Sequence, residues 1–93
     1  MFQKLKAFKQ LRSAAKSLQH ELAGETVEIE RHGIRLALDG NLDVQRLTLP
    51  AGLNHEELER RLPEVLNVAI DKAQRVAAEK IRARGGLEGL GLK

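Results

Sequence analysis

The sequence predicts an α+β domain: an N-terminal helix, a three-stranded antiparallel meander and a long C-terminal helix. Three observations predict it. Apolar residues recur every three or four positions at both ends of the chain but every second position from Thr26 to Leu38. The apolar alternation is cut by His32-Gly33 and by Asp39-Gly40-Asn41, two Gly-containing turn signals of hairpin type. Asn54, with Glu57 three residues on, marks a helix start close to a capping box.

In the first element, Phe2, Leu5, Phe8, Leu11, Ala15, Leu18 and Leu22 trace one apolar stripe, and Gly24 supplies the stop. A helix of this length runs for about 30 Å, which is long for the domain, so part of its stripe needs a partner. Val27 and Ile29 then alternate with Glu28 and Glu30, and Ile34, Leu36 and Leu38 with Arg35 and Ala37. A third strand is expected from Asp43 to Leu49, ended by Pro50. Val44 and Leu47 are three apart, so a bulge is expected before Leu47, with Leu47 and Leu49 as the inward pair. Three short consecutive strands imply a meander with one buried face.

In the last helix the stripe continues through Leu58, Leu62, Leu66, Ala69, Ala73, Val76 and Lys80 or Ile81. Pro63 either kinks one long helix or opens the main helix after a separate turn over residues 55–62; a break near Arg61 to Pro63 is the expectation. The helix should reach about Arg84, where Gly85-Gly86 ends it. Residues 1–84 thus read as a single domain, and 85–93, with four Gly in nine residues, as a tail expected to be mobile.

Ninety-three residues with only two aromatics, Phe2 and Phe8, suit a small core of medium aliphatics. Chains of this kind often gain further burial by pairing with a second copy. The absence of Cys excludes a disulfide framework and a thiolate zinc site and fits a reducing cytosol. No apolar run is long enough to span a bilayer, and Lys and Gln interrupt every apolar run near the N-terminus, so no signal peptide is expected.

Charge is sorted by position. Residues 1–20 carry Lys4, Lys6, Lys9, Arg12 and Lys16 and no acid, a charge of +5. Residues 21–71 set five Arg against eleven acids, a charge of −6. Residues 72–93 carry Lys72, Arg75, Lys80, Arg82, Arg84 and Lys93 against Glu79 and Glu88, a charge of +4. The net +3 therefore hides two basic ends around an acidic middle. A polyanion responds to the ends rather than to the average, so nucleic acid is the first partner implied.

Element order and several short motifs together resemble the YbaB/EbfC family of bacterial nucleoid-associated proteins. The resemblance covers nearly the whole chain. It rests on the start Met1-Phe2, a Lys- and Gln-rich first helix, a Val-x-Ile strand and the turn at Asp39-Gly40. It rests further on a Leu-x-Leu-Pro strand exit at Leu47 to Pro50, the stretch LPEVLNVAIDKA from Leu62 to Ala73, and the ending GGLEGLGL from Gly85 to Leu92. The Met-rich first helix of the family is replaced by Leu and Ala, and Pro63 stands where members more often have an acid. The resemblance implies a cytoplasmic, nucleoid-associated homodimer in which two meanders pair and the terminal helices project like the arms of tweezers. It also implies largely sequence-independent binding of double-stranded DNA through the first and last helices.

Those helices are the segments marked as basic by the charge count. Lys4, Lys6, Lys9, Arg12 and Lys16 form the first DNA-contact set. Lys9, Arg12 and Lys16 share one face away from the Leu stripe, and a helix without acids differs from the mixed-sign surface of an ordinary solvated helix. Arg75, Lys80, Arg82 and Arg84 form the second set, although cations near a helix C-terminus also stabilise its dipole. Arg46, on a strand among acids, is expected to be paired.

His20, His32 and His55 are scattered and lack the spacing of metal ligands. Glu56, Glu57, Glu59 and Glu64 gather at a helix start, which the dipole favours. The Gly-rich ending lacks the Gly-Lys-Ser/Thr of a phosphate loop. The lack of Tyr and Trp serves base stacking poorly, which argues against single-strand recognition. No enzyme, cofactor or small-molecule substrate is indicated. The competing readings are a protein-interaction scaffold whose basic arms meet an acidic protein and, ranked last, a membrane-surface helix formed by Phe2, Leu5, Phe8 and Leu11 opposite lysines.

Overall fold

A computed structural model describes residues 2–86, with side chains from Lys4 onward. The expectation of a mobile tail falls, for residues 87–93, outside the described residues. Helix α1 spans Phe2–Ala23, strands β1, β2 and β3 span Thr26–Arg31, Ile34–Asp39 and Val44–Thr48, and helix α2 spans His55–Ala83. The strands form one antiparallel sheet in the order β1-β2-β3.

The first hairpin closes through His32 (φ 56°) and Gly33 (φ 80°). Two consecutive positive φ values match the right-handed twist of the flanking strands. This pins the register of β1 on β2 from Thr26↔Asp39 to Arg31↔Ile34. Between β2 and β3 the register shifts, with Ala37 opposite Arg46 but Leu38 opposite Val44. The bulge therefore falls just before Leu47, as the spacing of Val44 and Leu47 predicts.

α2 packs on the face of the sheet that carries Val27, Ile34, Leu36 and Leu38. Val65, Ala69 and Ala73 complete the buried cluster from the helix side. Ala69 and Ala73 are fully buried; small side chains on this face let the helix approach the sheet closely. The N-terminus of α2 is capped as expected, with Asn54 Oδ1 accepting from the Glu57 amide at 2.8 Å.

Two expectations are corrected. First, α2 is continuous from His55 to Ala83 with Pro63 inside it, so no break occurs near Arg61 to Pro63. An interior proline costs about 3 kcal/mol. Leu58 and Leu62 before it and Val65, Leu66 and Ala69 after it nevertheless pack against one sheet face, and a break would misalign them. Pro63 and Glu59, whose carbonyl loses its donor, are both exposed, so water can satisfy that oxygen.

Second, Leu47 and Leu49 are not buried; they are 46% and 45% exposed. Leu47 pairs with Leu36 and so lies on the helix-facing side. α2, however, lies over β1 and β2 and leaves β3 uncovered.

The second turn also uses its residues differently from the sequence reading. Its positive φ falls on Leu42 (φ 68°), not on Gly40. The buried Asp39 carboxylate organises it: Oδ1 accepts from the amides of Asn41 (2.8 Å) and Asp43 (3.0 Å), and Oδ2 from Gln45 Nε2 (3.2 Å). Gly40 serves a close approach. Its amide donates to the Leu22 carbonyl at 2.9 Å, and a Cβ at this position would stand 2.9 Å from that same oxygen. Asn41 Nδ2 donates to the Gln19 carbonyl at 2.9 Å. The turn thereby adds donors to two carbonyls near the C-terminal end of α1, the Leu22 oxygen also accepting from the Glu25 amide at 3.1 Å.

Candidate nucleic-acid interface

Among the described residues, the contacts that hold α1 to the body lie in its C-terminal half. Leu22 is buried, Leu11, Ala14 and Leu18 are half-buried, and Leu5 and Phe8 are exposed. The helix meets α2 antiparallel: Lys80 Nζ lies 2.8 Å from Glu25, and Arg84 reaches Ser17 Oγ (3.2 Å) and Glu21 (3.7 Å). Since α2 ends at Ala83, the residues before Ser17 extend beyond that helix, an arm of about 22 Å not flanked by α2. The principal extents of 61 × 22 × 19 Å and a radius of gyration of 17.8 Å reflect that arm; a compact domain of this length has about 12 Å.

The arm carries the first predicted set. Lys4, Lys6, Lys9, Arg12 and Lys16 are all exposed, and none forms an ion pair with another described residue. Lys6, Lys9, Arg12 and Lys16 fall within an arc of about 120°, opposite Ala14 and Leu18. Lys4 lies in line with the apolar stripe but beyond the end of α2. The first turn of α1 contains no acid.

The second set is placed otherwise. Arg75 pairs with Asp71 at 3.0 Å, Arg82 with Glu79 at 2.9 Å, Lys80 with Glu25 and Arg84 with Glu21. Lys72 donates to the Glu28 carbonyl at 3.1 Å. The Glu25 carboxylate holds the Lys80 ammonium above its ordinary pKa, first through the hydrogen bond and then through charge, with Glu21 adding to it.

Arg46 makes no ion pair among the described residues, contrary to expectation. Its cross-strand neighbour is Ala37, and Glu28 lies one strand further, about 9.6 Å away at the usual strand spacing.

One polar cluster escaped the sequence reading. His32 Nδ1 lies 2.6 Å from Arg61 Nη1, and Nε2 lies 2.9 Å from Glu64 Oε2. A guanidinium only donates, so Nδ1 accepts and the ring proton on Nε2 goes to Glu64. The cluster ties the first hairpin turn to α2 across 29 and 32 residues of sequence. His32 holds this position in a left-handed turn (φ 56°), and no sequence spacing signals the contact.

The bond from His32, with the charges of Arg31 and Arg61 behind it, holds the Glu64 carboxyl below its ordinary value of 4.5. A lowered carboxyl pKa stabilises the fold above the ordinary value and loses that contribution as the pH falls through the folded one. Glu64→Gln is therefore expected to lower the melting temperature slightly at pH 7, with the difference from wild type closing below pH 4.5. A thermal-melt series from pH 7 to pH 3 checks this.

His55 pairs with Glu59 within α2 at 2.8 Å. Among the described residues no three His, Asp or Glu side chains converge to hold a metal ion, and no helix is long and apolar enough to cross a membrane. The open face of the sheet carries a shallow depression of about 290 Å³ lined by Glu28, Glu30, Arg35, Ala37 and Arg46.

Neither a protein-family model nor a curated protein matches this chain.

Proposed function

We propose that this protein is a non-enzymatic binder of double-stranded DNA with little sequence preference, acting as a homodimer associated with the bacterial nucleoid. The observation that carries this reading is the α1 arm, with five exposed cations unpaired among the described residues. Duplex DNA offers one phosphate charge per about 1.7 Å of axis, and cations that replace its condensed counterions gain affinity without reading bases. The resemblance to the YbaB/EbfC family supports the same partner.

The decisive test is fluorescence anisotropy with random-sequence duplex across a salt series. Affinity should fall steeply with salt and be indifferent to sequence; five contacts give a log–log slope of about −4.5 per arm. No binding at low salt would overturn the reading in favour of an acidic protein partner.

The homodimer is supported by the uncovered third strand. Leu42, Val44, Leu47 and Leu49 are each 41% to 56% exposed, and β3 is an edge whose outer backbone groups have no partner strand in the sheet. Pairing two meanders here would cover these residues. Leu47→Asp is expected to shift the protein from dimer to monomer in sedimentation equilibrium, with its helical circular dichroism retained. A dimer that persists unchanged would place the interface elsewhere.

A further inference from the structure

We infer that contact with DNA is made by the α1 arm alone, Arg75, Lys80, Arg82 and Arg84 being neutralised within the protein. This inference rests on the duplex-binding reading and divides the two basic segments, which the charge pattern of the sequence treats alike.

The two segments differ in what surrounds each cation. On α1 no carboxylate lies within 4 Å of Lys4, Lys6, Lys9, Arg12 or Lys16 among the described residues. On α2 every cation of the predicted set has one: Asp71 for Arg75, Glu79 for Arg82, Glu25 for Lys80 and Glu21 for Arg84. These four cations meet four acids. That leaves Lys72, bound to the Glu28 carbonyl, as the cation of this end without a carboxylate partner among the described residues, so the field offered to a polyanion is small.

The partners also differ in kind. Asp71 and Glu79 stand one turn from Arg75 and Arg82 on the same helix. A phosphate drawn to either arginine would meet the adjacent carboxylate, and the repulsion offsets the attraction. Lys80 and Arg84 reach acids at the base of α1, and the Arg84 side chain is only 24% exposed. To meet a phosphate these two would have to release the contacts that hold the arm to the body. The arm already points away from these acids.

Two double variants of equal net charge separate the segments: Lys9→Gln with Arg12→Gln, and Arg75→Gln with Arg82→Gln. All four residues are exposed, so neither pair puts the core at risk, and circular dichroism and sedimentation check fold and assembly. The salt slope of binding to random duplex is the readout, because it counts phosphates neutralised. The α1 pair is expected to reduce the slope by about 1.8 per protomer and the α2 pair to leave it unchanged. Equal reductions would overturn this inference while leaving duplex binding in place. A wild-type protein with no salt-dependent duplex binding would overturn the parent reading and this inference together.

Discussion

Reversing three charges on the arm, Lys9→Glu with Arg12→Glu and Lys16→Glu, is expected to abolish the proposed duplex binding while leaving the fold and the proposed dimer intact. With a slope of about −0.9 per phosphate contact, each contact contributes nearly tenfold at 0.1 M salt. Loss of three contacts on one arm therefore costs about 10² to 10³ in affinity, and a dimer loses them on both arms. Acids placed against phosphates add repulsion beyond that loss. All three residues are exposed on the part of α1 that projects past α2, so their reversal removes no packing. Anisotropy titration at 0.1 M salt, with sedimentation as the control for assembly, checks it. Unchanged affinity would remove α1 as the binding surface.

The second large effect lies in the core. Leu38 is 1% exposed and sits on β2 between Val27 of β1 and Val44 of β3. Leu38→Ala leaves a cavity under α2 and is expected to destabilise by about 2 to 5 kcal/mol. Small domains have only about 5 to 15 kcal/mol in total, so a large share of molecules would unfold on mild heating. Urea unfolding at fixed protein concentration, with the m-value unchanged, measures it. Leu47→Ala is expected to cost much less in the isolated protomer, since that side chain is already half solvated. The contrast distinguishes the covered part of the sheet from the uncovered part.

The elements themselves were legible because their signals are local. A stripe at helical spacing, alternation at period two, Gly in a two-residue turn and Asn before an acidic first turn each act within a few residues. The bulge before Leu47 was legible for the same reason, as a break in parity. Where the reading failed, the deciding contact came from elsewhere in the chain. Pro63 stays within a continuous helix because residues on both sides of it share one packing surface. Leu47 and Leu49 have inward parity but remain exposed because α2 covers only two of three strands. Gly40 marks a hairpin-type turn in the sequence, and its role in the structure is to let the turn meet the α1 carbonyl of Leu22. Val65, fully buried, fell outside the stripe traced through Leu62 and Leu66; a sheet surface accepts a wider arc of a helix than a single row.

The candidate site shows the same division. Which segments are basic follows from the order of residues, and their charges can be counted without coordinates. Whether a cation is available depends on which acids lie within about 4 Å, and three-dimensional packing sets that. Glu25 and Glu21 lie 55 and 63 residues before Lys80 and Arg84 in the chain, yet stand beside them in space. The sequence by itself determined the helix–meander–helix order and the sorting of charge, because period, turn chemistry and side-chain ionisation are short-range properties. Only the tertiary structure decided which apolar residues are covered, which proline is tolerated and which basic helix keeps its cations unpaired among the described residues, because burial and ion pairing depend on what the rest of the chain brings within a few ångströms.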